Sequence, residues 1–334
     1  MFELLGLSLL LAALLTFNSF ASLITVILWR LFRGATRRCS ALSRARLIFQ
    51  LRTFPALVAA VCVLLLFAPA YLAYEPRHSK EIVSLKLALL AFASAVGIAL
   101  AAARSIIAWR MTVRLTADWM AQGEPIEVGG VDIPTYRINH AFPIIAIVGV
   151  LRPRLFIASQ VLTLLTAAEI KASLAHENGH LTSRDNLKRG VLRACRDSLL
   201  LVPCGRLLDR EWAAAAEAAA DEQAARIGHG VALDLASALV KIARVIPLGA
   251  RPTMPAGVYL LGDDEAKGIR GRVRRLIDLA ASGNHQQASG RFQSNIFALI
   301  SIALLVITLL LITGHPAVFA TVHTLIEQAV ALLK

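Results

Sequence analysis

The segment LAHENGHLTSRDN, residues 174–186, carries two histidines, His176 and His180, four positions apart. In an α-helix this spacing puts both imidazoles on one face, one turn apart, so that both can reach a single metal ion. Glu177 then lies beside the metal, where it can accept a proton from a bound water molecule. The segment therefore predicts a helical zinc site with its own general base and acid.

A pair of acidic residues later in the chain is predicted to supply the remaining ligand. Glu217 follows 37 residues after His180, and Asp221 lies one helical turn beyond Glu217. A catalytic zinc ion has three protein ligands and one water, so we predict one Zn²⁺ per chain, bound by His176, His180 and Glu217. Asp221 is predicted to accept the far N–H of a ligand histidine, with His176 the expected partner, which would fix the tautomer of that ring.

Two other carboxylates, Glu211 and Glu222, are rival third ligands. Glu211 has no acidic residue four positions later, and Glu222 lies about 100° around the helix from Asp221, so both rank below Glu217. Of the remaining histidines, His140 and His229 could reach the site, but no feature of the sequence fixes them there. The sequence identifies no donor for stabilising an oxyanion.

Hydropathy indicates a membrane protein. The mean hydropathy is +0.64, and 57% of the residues are hydrophobic. A helix that crosses a bilayer needs roughly 17–25 apolar residues, and four stretches meet this requirement: 4–29, 54–74, 85–103 and 295–313. The first stretch has no basic residue before it and no small-residue cleavage site after it, so we predict a retained span rather than a signal peptide.

The charges of the loops predict the orientation in the membrane. Residues 30–53 contain seven arginines and no acidic residue, so the positive-inside rule makes them a basic cytoplasmic loop. Both termini and the tail 314–334 are then outside, and residues 110–294 are cytoplasmic. The net charge of +13 is explained by arginines that contact the lipid bilayer, and we expect no direct nucleic-acid binding.

The cytoplasmic region combines strands and helices. Residues 112–157 are β-like and predict three or four short strands. Thr166 and Glu169 have the spacing of a capping box that opens the helix of the two histidines. Further helices are predicted over residues 159–165, 187–203, 212–227, 231–246 and 269–280. Residues 143–157 could provide an edge strand that pairs with an extended substrate, or an ordinary strand of the sheet.

With these motifs the chain resembles the bacterial BlaR/MecR-type antirepressor family of membrane zinc metallopeptidases. The resemblance covers roughly residues 142–246 and rests on GVLRPRLFIA (149–158), LAHENGHLTSRDN (174–186), Pro203 and EAAADEQA (217–224). It implies a mainly α membrane protein of the bacterial inner membrane, with four transmembrane helices and a cytoplasmic α+β zincin-like (gluzincin) metallopeptidase domain. It also implies zinc on His176, His180 and Glu217, a catalytic Glu177, and signal-regulated cleavage of a cytoplasmic protein such as a transcriptional repressor. Self-cleavage would fall in the linker 281–294.

The chain departs from that family in one major respect. Family sensors have a penicillin-binding domain after the last span, whereas here residues 314–334 follow it. The chain could therefore act with a separate sensor partner, and it could form a homodimer. One alternative is an HtpX/CAAX-endopeptidase-like processing or quality-control protease, although such proteins usually place further spans between HExxH and the glutamate ligand. Another alternative is a non-catalytic zinc-containing membrane sensor or scaffold, which would have no use for Glu177.

Overall fold

The structure, a computed structural model, describes residues 2–77, 83–199, 205–228, 230–246, 265–281 and 316–333. Three of its helical segments are long and apolar enough to cross a membrane: α1 (Phe2–Phe32), the rod Ala41–Tyr74 and α4 (Leu85–Gln122). The rod consists of α2 (Ala41–Cys62), a π-helical segment (Val63–Phe67) and α3 (Ala68–Tyr74). The predicted fourth span, 295–313, lies outside the described residues, as do the linker residues 282–294.

The membrane helices are longer than the predicted spans. The side chain of Ser40 accepts a hydrogen bond from the backbone N–H of Ser43 and so starts α2 at Ala41, which is an N-cap interaction. Residues 41–53 of the predicted basic loop are therefore helical, and the chain between α1 and α2 is a short turn with one 3-10 segment, Ala35–Arg38. The cytoplasmic placement of this basic segment stays a prediction. Helix α4 contains no proline, and its one internal glycine, Gly97, does not end it, so it continues to Gln122 and stops before Gly123. The β-like character predicted for residues 112–122 is wrong.

A small sheet follows α4. It contains β1 (Glu124–Ile126), β2 (Thr135–Ile138), β3 (Ile145–Val148) and β4 (Arg154–Ala158), in the order β1-β2-β4-β3. Strands β2 and β4 are parallel, and the two outer pairs are antiparallel. The predicted group of short strands is thus confirmed among the described residues, and β3 lies at an edge of the sheet.

Helices account for most of the remaining described chain. They are α5 (Ser159–Leu164), α6 (Ala167–Ser183), α7 (Asp185–Asp197), α8 (Gly205–Ala225), α9 (Val231–Val245), α10 (Glu265–Ala281) and α11 (Pro316–Leu333). The predicted capping box at the start of α6 is confirmed, since Thr166 and Glu169 exchange both hydrogen bonds. A hydrophobic core that includes Phe156, Leu235 and Leu239 lies between the sheet, α6 and α9.

The helical region packs directly on the membrane helices. Helix α8 lies along α2, where Arg44 Nη2 is 2.7 Å from Glu211 Oε2 and Arg52 Nε is 3.2 Å from Asp209 Oδ1. Arg52 is only 2% exposed, so it does not contact lipid headgroups as its position in the sequence predicted. On the other side, α7 packs against α4, and Arg104 Nη1 lies 3.0 Å from Asp197 Oδ1. These contacts hold α8, the helix of Glu217, against the second membrane helix.

Candidate metal centre

Helix α6 brings the two predicted histidines together. His176 is fully buried at 0% exposed, and His180 lies one turn later. The two Nε2 atoms are 3.2 Å apart, and the rings are nearly perpendicular, at 88°. Both nitrogens therefore face a common point from one face of the helix, as the i, i+4 spacing predicts.

Helix α8 adds Glu217 to this point. Its Oε2 atom lies 3.6 Å from His176 Nε2, and its Oε1 atom lies 3.5 Å from His180 Nε2. In a tetrahedral zinc site with bond lengths of about 2.0–2.1 Å, neighbouring ligand atoms are about 3.3 Å apart. The three side chains have almost this spacing, and they form a group that could hold a metal ion.

The rival carboxylates lie elsewhere. Glu211 pairs with Arg44, and the side chain of Glu222 accepts hydrogen bonds from the backbone N–H of Ala41 at 3.2 Å. His140 also lies apart from the two histidines, because its ring packs against Trp119. His229 lies outside the described residues. The structure therefore favours Glu217 over both alternatives.

A glycine allows the two helices to approach. A Cβ atom on Gly179 would lie only 3.0 Å from the Cα atom and 3.2 Å from the Cβ atom of Ala220. Such distances are shorter than ordinary carbon–carbon contacts. The glycine lowers the helix propensity of α6, but it lets α8 approach closely enough for Glu217 to reach both histidines.

An acidic side chain also orients each histidine. Asp221 Oδ1 lies 3.0 Å from Nδ1 of His176, and Asp185 Oδ2 lies 2.8 Å from Nδ1 of His180. Such contacts leave Nε2 of each ring for the common point. Sequence reasoning named Asp221 and missed Asp185, which the left-handed backbone of Arg184 (φ 54°, ψ 41°) brings back between α6 and α7. A non-glycine residue with positive φ is uncommon, and no feature of the sequence predicts one at position 184.

Arg272 on α10 is a second residue that sequence reasoning missed. Its guanidinium donates to both oxygens of Asp221, at 2.7 and 3.1 Å, and its Nη1 atom lies 3.1 Å from Glu217 Oε2. It is 7% exposed, so the ion pair is shielded from water. Arg275 also donates to Asp221, at 3.3 Å. No motif spacing connects α10 to the HExxH segment, and only the tertiary fold brings it there.

The electrostatics of the site favour a cation between the histidines. Burial by itself would lower the pKa of His180, but the charge of Glu217 and the hydrogen bond with Asp185 raise it to about 10. For Glu217, burial would raise the pKa, but the charge of His180 and hydrogen bonds with both histidines lower it well below its usual range. The carboxylate is therefore anionic, and the centre stabilises positive charge.

Glu177 has the features of a general base. Burial raises its pKa above the ordinary value, which is the direction that favours proton transfer near neutral pH. The side chain lines a cleft of about 390 Å³ together with His180, Arg189 and residues of β3. Glu177 can therefore exchange protons with a molecule in this cleft.

The cleft is bordered by the edge strand of the sheet. Asn186 Nδ2 donates to the backbone carbonyl oxygens of Ile147, at 3.0 Å, and Gly149, at 3.2 Å. These carbonyls therefore point away from β4, toward the free edge of β3. Along a strand, the backbone polar groups of successive residues face opposite sides, so those of Ile145 face the free edge, like those of Ile147.

Residues 146–252 match the model of peptidase family M48. The matched part runs from β3 through α9 and includes both histidines, Glu177, Glu217 and Asp221. The protein is a metallopeptidase, which confirms the enzyme class predicted from the HExxH segment. The match does not confirm the more specific resemblance to the BlaR/MecR-type family. A comparison with curated proteins finds no match.

The chemistry of the donor set fits zinc. Two imidazole nitrogens and one carboxylate are a common ligand set for catalytic zinc. The Oε2 atom of Glu217 is buried and faces Arg272 Nη1 at 3.1 Å, and an ionised carboxylate retains further lone pairs that can bind a metal ion. Among the described residues, no further histidine, cysteine, aspartate or glutamate joins this group of potential ligands, and Arg272 Nη2 lies 3.3 Å from His176 Nε2.

Proposed function

We propose that this protein is a membrane-associated zinc endopeptidase that cleaves an extended segment of another protein. The observation that supports this most is the convergence of His176, His180 and Glu217 beside a buried glutamate, at a cleft bordered by a free strand edge. A structural zinc site has four protein ligands and no cleft. This arrangement disfavours a non-catalytic zinc-containing scaffold.

The roles of the residues follow from the geometry. Zinc held by these three ligands would supply Lewis-acid activation of a water molecule. Glu177 accepts the proton from the attacking water and delivers it to the leaving amine. Asp221 and Asp185 hold the two histidines in orientation, and Arg272 neutralises the charge of Asp221 and keeps it in place.

The edge strand gives the substrate a place to bind. An extended peptide can pair with the free backbone groups of Ile145 and so lie across the cleft, next to Glu177. Asn186 occupies the carbonyls of Ile147 and Gly149, so pairing would end near this point. Recognition through backbone hydrogen bonds favours substrates whose cleaved segment is unfolded or extended.

Substitution of the proposed base tests this function. Glu177→Gln removes the proton acceptor but changes no metal ligand, so we expect peptide hydrolysis to fall at least about 100-fold while zinc stays bound. Glu222→Gln on α8 is the matched control and should keep both activity and zinc. Hydrolysis of a quenched fluorescent peptide and elemental analysis measure the two properties. Wild-type activity in Glu177→Gln would refute the proposed mechanism.

The physiological substrate is a further part of the proposal. The sequence resemblance points to a cytoplasmic protein, such as a transcriptional repressor, cleaved in response to a signal. A second candidate is processing or quality control of membrane proteins. It is supported by the packing of α7 and α8 directly on α4 and α2, because this keeps the cleft near the membrane helices.

The inactive Glu177→Gln variant can distinguish the two candidates. In cells that contain it, uncleaved substrates accumulate and can be captured with the variant. Enrichment of one soluble repressor would support the first candidate, and enrichment of several membrane proteins would support the second. The matched control is the wild-type protein, which we expect to capture less of either, since it cleaves and releases its substrate.

A further inference from the structure

A second cluster of metal-binding side chains lies far from the first. Glu75 directly follows α3, and His323 and Glu327 lie on α11. One potential ligand atom from each of the three lies within 4.8 Å of the other two. His323 and Glu327 are four positions apart on one helix, which puts them on the same face.

Tight packing holds this cluster in place. Ile326 and Val330 of α11 form a small buried core with Ala70 of α3. Beside this core, the ring of His323 stacks on Tyr74, with ring centres 5.9 Å apart and planes 26° apart. The stacking fixes the plane of the imidazole, which is the main requirement for a pre-oriented histidine ligand.

The imidazole of His323 lacks one hydrogen bond. Its Nδ1 atom is buried and has no hydrogen-bond partner among the described residues. A buried polar atom without a partner is destabilising, and such atoms in native structures generally mark a water or an ion. Two carboxylates in the same cluster favour a cation over a neutral molecule.

We propose that Glu75, His323 and Glu327 bind a divalent transition-metal ion, which fastens α11 to the end of α3. One imidazole and two carboxylates suit zinc, with water completing the coordination. Ligand atoms around zinc are about 3.3 Å apart, so the side chains must move closer by at most about 1.5 Å. The flexible glutamate side chain of α11 can make this movement.

This site is separate from the proposed catalytic centre. Ala41, at the start of α2, contacts Glu222 on α8, whereas Glu75 lies 34 residues farther along the helical rod. At about 1.5 Å per residue, the rod separates the two points by about 50 Å. The ion would therefore be additional to the single zinc predicted from the HExxH segment, and the two sites can be emptied independently.

The zinc content of the purified full-length protein tests the proposal. We expect two zinc ions per chain in the wild type and one in His323→Ala, with peptide hydrolysis retained. The matched control Gln328→Ala, on the same helix, should keep two. His176→Ala should instead lose the catalytic zinc and keep the second. Equal zinc content in His323→Ala and the wild type, measured by elemental analysis, would overturn the proposal.

Thermal unfolding provides a second measurement that does not depend on metal counting. With the catalytic site already saturated, further zinc should raise the Tm of the wild type and of Gln328→Ala. At a hundredfold excess over Kd the expected rise is about 4 °C. Glu327→Ala should show no rise. A zinc-dependent rise of equal size in Glu327→Ala, or no rise in the wild type, would contradict the proposed site.

Discussion

At the scale of single residues, Glu169 connects the helix of the two histidines to its neighbour. Its carboxylate accepts hydrogen bonds from Ser237 at 2.6 Å, from Lys241 at 2.8 Å and from the backbone N–H of Thr166 at 2.8 Å. Burial by itself would raise the pKa of Glu169, but these hydrogen bonds outweigh it and lower the pKa to about 2. Glu169 is only 4% exposed, whereas the side chain of Lys241 is 36% exposed, so solvent screens this ion pair from the lysine side.

This pKa predicts a pH dependence of stability. The pKa of Glu169 is lower in the folded than in the unfolded state. The ionised carboxylate therefore stabilises the folded protein above about pH 4.5, and this stabilisation is lost as the pH falls toward 2. We expect Glu169→Gln to lower the Tm at neutral pH and to flatten the pH profile of the Tm between 5 and 2. The exposed Glu124→Gln is the control, and parallel profiles for Glu169→Gln and wild type would contradict the assignment.

Other residues show why sequence reasoning found part of the site. His176, Glu177 and His180 are close in sequence, so their helical spacing was enough to place them. Glu217 was identified because Asp221 follows it at the same spacing. Asp185 and Arg272 have no such local pattern: a left-handed residue and the packing of α10 bring them in. Neither feature can be inferred from periodicity.

At the scale of elements, the contact between α6 and α8 decides whether the centre can form. Gly179 faces Ala220 on α8 without room for a larger side chain. A widening of this contact moves Glu217 away from the histidines, because all three are attached to rigid helices. We therefore expect metal affinity to depend on the distance between two helices, as well as on the ligands.

A larger residue at position 179 should weaken metal binding. Gly179→Val introduces a β-branched side chain against the backbone of α8, so we expect zinc affinity to fall about tenfold or more and stability to fall by about 1–3 kcal/mol. Gly190→Val on α7 is the matched control, since nothing lies within 4 Å of that position. Competition with a chromogenic chelator measures the affinity. Equal zinc affinity in the two variants would exclude this role for Gly179.

Most element positions could be predicted, and their ends less well. Capping and periodicity placed α5, α6, α8, α9 and α10 near their observed positions. The polar halves of α2 and α4 were missed because hydropathy detects the apolar part of a helix and stops where charges begin. Packing of α2 on α8 and of α4 on α7 supports these polar turns, and hydropathy does not report such contacts.

At the scale of the whole molecule, the long helices extend beyond a bilayer. Helix α4 has 38 residues and is about 57 Å long, whereas the hydrocarbon core of a membrane is about 30 Å thick. Its distal part packs on α7, and Trp119 near its end joins the core of the sheet. Helix α4 therefore connects the membrane region rigidly to the peptidase region.

The orientation of the chain in the membrane stays a prediction from its arginines. Cys39 lies exposed in the turn between α1 and α2, which is predicted to be cytoplasmic, and Gln328 on α11 is predicted to be outside. In intact spheroplasts, we expect an impermeant maleimide to label Gln328→Cys and to label Cys39 only after permeabilisation. Each site is tested with the other cysteines replaced. Labelling of Cys39 in intact spheroplasts would reverse the predicted orientation.

Local spacing was sufficient to predict the enzyme class and to bring His176 and His180 together, because residues one helical turn apart necessarily share a face. The roles of the two histidines as ligands and of Glu177 as base stay predictions. Composition was sufficient to predict the three described membrane helices, since a helix that crosses a bilayer needs a long apolar segment. The pairing of Arg44 and Arg52 with α8, the orientation of His180 by Asp185 and the ion pair of Arg272 depended on the folded chain. Each joins segments whose distance in space is set by packing, which a linear pattern of residue types does not encode.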